Sequence, residues 1–177
     1  MFVAVVSVLA ASCGPTINPA IVSSPFTAGL ETLFDDGVDF FAEPAALEGS
    51  WRDSAIRDTQ GRADAADVIA VIEINTVHTD SDPAQRTSFR LVARVERTLF
   101  GGTPSDELRL SCREGAPGYP MVAENQDRLL NHRFVAYVKW YDAEGGQVEA
   151  HWHLSPASDG VIVEVERAVA RRGLSSP

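Results

Sequence analysis

Basic residues are scarce. The chain has 177 residues, with 15 Lys+Arg against 25 Asp+Glu, a formal net charge of −10. A nucleic-acid binder normally presents a basic face to phosphates, so this balance argues against one. It argues equally against electrostatic docking on anionic lipid. Cysteine is also rare: Cys13 and Cys112 are the two present, too few for a disulfide scaffold. Long apolar runs are missing. The longest is residues 2–11, well short of the roughly 20 residues that a spanning helix needs. No G-x-S-x-G elbow, P-loop, dinucleotide-binding glycine pattern, H-E-x-x-H or C-x-x-C occurs, and no internal repeat is visible. No catalytic residue and no cofactor is assigned. What remains is an ordinary globular composition, 45% hydrophobic and 23% charged, too apolar for a disordered chain.

The apolar run Phe2–Ala11 ends in small residues ahead of Cys13, the outline of a secretory signal. The ending LAASC resembles a bacterial lipobox, in which the cysteine is acylated and becomes the first residue of the mature protein. The resemblance implies lipidation at Cys13, a membrane partner through that anchor, and a place in the cell envelope. Gly14 after the cysteine points to the outer membrane, with the domain in the periplasm or at the surface. No Lys or Arg precedes the apolar run, and Ala10 stands where leucine is more usual. The division of the chain follows: 1–12 a signal peptide, 13–30 a flexible tether, 31–62 an extension packed on the domain, and 63–174 the domain itself. Leu33, Phe34, Phe40, Phe41 and Trp51 are too many large apolar groups for a free linker. Ser50 is a candidate cap for a short helix in which Trp51, Ala55 and Ile56 share a face. The acids Asp35, Asp36, Asp39 and Glu43 do not have the spacing of a calcium loop and are read as a solvated segment.

From Ala66 the pattern turns to β-structure. Alternation and β-branched residues predict strands over 67–77, 89–95, 108–112, 134–140 and 150–154. A short helix is expected over Val122–Leu130, where the early acids and late His132 and Arg133 suit the helix dipole. A C-terminal amphipathic helix is expected after Asp159 as N-cap, with a strand over 161–165 as the rival. Arg90, Arg94 and Arg97 read as a solvated outer face balanced by Glu96. Trp140 and Trp152 read as core, and Cys112 as a buried, inert thiol. The expected fold class is mainly β (α+β): a five-stranded OB-like barrel with a helix between strands 3 and 4 and another at the end.

The strand patterns ADVIAVIEI (66–74), FRLVARVERTLFGG (89–102), DELRLSC (106–112) and RFVAYVKWYD (133–142) carry a resemblance. The chain resembles secreted bacterial lipoproteins whose OB-like barrel is similar to the netrin-like domain of tissue inhibitors of metalloproteinases. Those inhibitors use a free N-terminal cysteine amine and several disulfides. Acylated Cys13 and the lack of disulfides leave the resemblance to imply the fold rather than protease inhibition.

One segment could carry chemistry. In Glu149-Ala150-His151-Trp152-His153-Leu154 the period of two places Glu149, His151 and His153 on one strand face, opposite Ala150, Trp152 and Leu154. Two imidazoles at i, i+2 can share a metal, with Glu149, His132 or His78 as a third ligand. Without a closed ligand set, a solvent-facing polar stripe is the simpler expectation, with no metal bound. The function expected is a noncatalytic binding module of the envelope, its partner another envelope protein or a small ligand. The alternative is a metal-dependent or otherwise unrecognised hydrolase near His151 and His153.

Overall fold

The computed structural model describes residues 26–40, 46–103, 105–142 and 148–175. Cys13, the apolar run before it, Phe41, Glu43 and the stretch read as a tether up to Pro25 lie outside them.

Six strands form one sheet: β1 (Gly37–Val38), β2 (Val68–Ser81), β3 (Thr87–Phe100), β4 (Glu107–Arg113), β5 (Arg133–Asp142) and β6 (Val148–Pro156). Their order is β1-β6-β5-β2-β3-β4, and only the β1–β6 pair is parallel. The five strands expected from alternation are β2 to β6. The sheet curls into a half-barrel, and the expected closed five-stranded barrel does not form. The sixth strand, Gly37–Val38, pairs with His153–Leu154. It takes part of the edge of β6, and β6 and β4 are not joined by a ladder.

The concave side of the sheet holds the larger core. Val68, Ala70, Ile72, Leu91, Leu110, Cys112, Phe134, Val138, Trp152 and Leu154 meet there. The alternate residues Ile69, Val135 and Tyr137 face the other way. They are covered by Phe34, by Ala63 of helix α2 (Gly49–Ala65) and by Val161, Val165 and Ala168 of helix α5 (Asp159–Ser175). Both faces of the sheet's centre are therefore buried, which explains the near-continuous apolar start of β2.

Several local expectations change. The C-terminal segment is a helix, so the strand rival over 161–165 is excluded. Its cap is Ser158, whose Oγ accepts the Val161 N–H at 3.3 Å, and Asp159 is the first helical residue. The middle helix divides at Asn125 into α3 (Tyr119–Glu124) and α4 (Gln126–Leu129). Helix α2 is much longer than a short turn through Trp51. Glu48, not Ser50, stands at its N-cap position and makes no side-chain cap bond. Trp51 is not packed, being 77% exposed, whereas Phe34 is fully buried. The last part of the stretch read as a tether, from Phe26, meets the domain: helix α1 is Ala28–Glu31, and Leu30 packs on the outer core.

Candidate functional site

β6 puts His151 and His153 on the sheet face opposite Trp152 and Leu154, as the period of two requires. That face is not a solvent-facing stripe. The segment carrying Asp35, Asp36 and Asp39 runs along the edge of β6 and turns its acids to these histidines, and His153 is 2% exposed. The acids are correspondingly not a solvated segment.

This edge pairing is fixed by main-chain bonds. Asp36 N–H donates to Trp152 O at 2.9 Å and Asp39 N–H to Leu154 O at 2.8 Å. Asp36 has φ of 55°, a left-handed conformation that short polar side chains tolerate. Its carboxylate turns back to accept the Trp152 N–H at 3.1 Å and lies 3.0 Å from His151 Nδ1. Beyond Asp36, His153 is clamped. Its Nδ1 lies 2.8 Å from Asp35 Oδ1 and its Nε2 lies 2.8 Å from Asp39 Oδ2. The same Asp39 oxygen accepts from an Arg62 nitrogen at 3.0 Å, and Arg62 Nε donates to Leu33 O at 3.2 Å. An acid–imidazole–acid–guanidinium row thus runs from Asp35 on one side to α2 on the other.

Burial by itself lowers an imidazole pKa, but the hydrogen bonds to Asp35 and Asp39 prevail and raise that of His153. Burial raises a carboxyl pKa, yet His153 and Arg62 hold Asp39 below its ordinary range. Asp36 shows the opposite balance: desolvation exceeds the help from His151 and the Trp152 N–H, and its pKa rises. The row is best described as His153 imidazolium between two carboxylates, with both N–H groups donating. Both ring nitrogens are thus engaged by carboxylates. Among the described residues no group of three or more His, Cys, Asp or Glu has a metal-holding arrangement. Glu149 turns to Arg113 at 3.1 Å. His132 is exposed with Nδ1 2.9 Å from Leu130 O, and His78 lies on the exposed end of β2.

Asp39 is where this row reaches the surface, with Arg62 buried beneath it. Both line a groove of about 380 Å³ between the end of β1, α2 and α3. Its walls are Phe40, Trp51 and Met121. Trp51 and Met121 are 77% and 45% exposed, an unusual outlay of apolar surface on a charged protein. The sequence shows the aromatics and the acids but not that α2 brings Trp51 into one groove with Asp39.

The other candidates have structural roles. Arg90, Arg94 and Arg97 are paired with Asp80, Glu73 and Glu96, and Glu166. Trp152 is fully buried and Trp140 is half-buried against the concave core. Cys112 is buried and free, and burial pushes its pKa up to about 12, with Asp36 and Asp35 adding to the effect. A thiol so held is a poor nucleophile. Among the described residues no helix is long and apolar enough to cross a membrane. No protein-family model matches the chain, and no curated protein matches it by sequence.

Proposed function

We propose that the chain is a noncatalytic, lipid-anchored module of the bacterial envelope that holds a partner protein in the groove walled by Phe40, Trp51 and Met121. The groove itself carries this reading: apolar walls converge on a few polar groups, the usual make-up of a binding site. The engagement of both His153 nitrogens by carboxylates favours binding over the hydrolase alternative. The LAASC ending supports anchoring at Cys13, and the succession of β2–β6 with a helical insert supports an OB-like ancestry for the open sheet.

The test uses the full chain with a photoreactive phenylalanine analogue at Trp51, or at Arg167 on α5 as a control. Irradiation of whole envelopes should give a discrete protein adduct from position 51 and none from 167. Met121→Ser should reduce the adduct several-fold without lowering the melting midpoint, because exposed substitutions usually stay within about 0.5 kcal/mol. Equal adducts from both positions would refute the groove as the binding surface.

A further inference from the structure

The seam where the sheet stays open has the make-up of a strand-binding site. β4 is the last strand in the order, and among the described residues no strand pairs with its outer edge. Along a strand the N–H and C=O of one residue point to the same side, and the side alternates. Ser111 O points outward, since it accepts Trp152 Nε1–H at 2.9 Å. The main-chain groups of Arg109 and Arg113 therefore face outward as well.

β6 offers a second free edge. β1 covers it only at His153 and Leu154, extended by the Asp36 N–H bond to Trp152 O. Trp152 thus turns its main-chain groups away from β5, and Ala150 and Val148 do the same. Asp36 closes this cover with its side chain, so the first half of β6 pairs with β5 on one side and has no strand on its outer edge among the described residues. Between the two edges is a slot of about 430 Å³ lined by Arg109, Ser111, Arg113, Val148, Ala150 and His151, with Asp36, Ala116 and Glu149. That volume falls in the range of about 300–1,000 Å³ typical of ligand sites.

We infer that this seam takes an extended segment of a partner protein, added as a strand to the edge of β4 and carrying acidic side chains on its outer face. β4 alternates buried Leu108, Leu110 and Cys112 with exposed Glu107, Arg109, Ser111 and Arg113. An added strand sets its outward side chains beside Arg109, Ser111 and Arg113, where acids are matched by two cations. Its inward side chains meet the slot lined by Ala116, Val148 and Ala150, where small apolar groups fit. The ion pairs that Arg109 makes with Glu107 and Arg113 makes with Glu149 are surface pairs, worth little, and exchange readily for a new acid. A second copy of this chain is the poorer occupant. Two β4 edges paired antiparallel about Ser111 set Arg109 opposite Arg113, like charge against like.

The probe is a capped heptapeptide of alternating valine and glutamate, titrated into the full-length Cys13→Ala protein at low salt. Expected are saturable binding, slowed amide exchange at Arg109, Ser111 and Arg113, and weakening by about tenfold in Arg109→Glu/Arg113→Glu, the order expected of opposite charges across two strand positions. A lysine-for-glutamate peptide should bind about tenfold more weakly for the same reason. A peptide N-methylated at alternate residues should not bind, because it cannot complete the ladder. Ser111→Pro removes one edge N–H on the protein side and should weaken binding while the fold, checked by melting, persists. Equal binding of the acidic, basic and N-methylated peptides overturns the proposal, and so does no binding by the acidic one. Slow exchange of the same amides before peptide is added also overturns it, since another occupant then holds the seam. Trp51 lies outside the slot, so the result is independent of the groove.

Discussion

His153 shows how much can hang on one side chain that the sequence leaves ambiguous. It ties Asp35 and Asp39, and through Asp39 also Arg62, to β6. The sign of its contribution follows from the shifts. His153 has a folded pKa above the ordinary imidazole value, so its stabilisation is fully present below that value and is lost as pH rises through the folded pKa. Asp39 has a lowered folded pKa, so its share is present above the ordinary carboxylate value and is lost as pH falls through the folded one. Asp36, with a raised pKa, works against folding once it ionises. Stability should therefore peak between the ordinary carboxylate and imidazole values and decline on the alkaline side. Thermal melts from pH 5 to 9 should show this decline, and His153→Gln should flatten it. His153→Ala leaves two carboxylates facing each other; both are partly exposed and Asp39 keeps Arg62, so the cost should fall below the roughly 3–5 kcal/mol of a fully buried pair that loses one partner. A wild-type melting midpoint that is constant across this range would contradict the imidazolium assignment.

At the scale of elements, the strands and the terminal helix were legible because their cause is local. Alternation over 89–95 and 134–140 lies inside the observed β3 and β5, and Trp152 and Leu154 face the core as the period of two requires. β1 was not legible. Two residues, Gly37 and Val38, carry no periodicity, and they pair because Asp36 and Asp39 bond to β6 on either side of them. The length of α2 was hidden for a different reason. Its buried residues are Thr59, Arg62 and Ala63, a weak apolar stripe. The site was half visible: the histidine face follows from the period of two, but its acids lie 114–118 residues upstream, and no local rule reports such pairing. One contact that fixes this edge pairing can be tested directly. Gly118 N–H donates to Asp35 O at 2.8 Å, which presses two glycine backbones together. A Cβ on Gly118 would lie 2.2 Å from Gly37 Cα and 2.4 Å from Gly37 N. Backbone cannot swing aside as a side chain does, so Gly118→Ala should cost at least the roughly 1–3 kcal/mol of a core overpacking. Gly102→Ala, with nothing within 4 Å of its Cβ, is the control. Denaturant melts should separate the two variants clearly, and equal midpoints would mean the two glycines are not in contact.

At the scale of the whole molecule, charge and anchoring can be separated. The exposed arginines of β3 are matched by acids on neighbouring strands and on α5, and the net charge of −10 leaves a field that repels an anionic surface. Electrostatics would therefore add nothing to the proposed membrane attachment. In that proposal the anchor supplies all of it, and several acyl chains on one cysteine are enough for stable attachment. Two outcomes follow. Cys13→Ala should abolish acyl labelling in cells and move the protein into the soluble envelope fraction. The same purified variant should not co-sediment with vesicles rich in anionic lipid, at either low or physiological salt. Lowering the salt lengthens the reach of charge from about 8 Å to about 30 Å, so a basic patch strong enough to dock the domain would be unmasked there. Sedimentation at low salt would place the membrane contact on the domain itself, and persistent labelling of the variant would remove Cys13 as the acceptor.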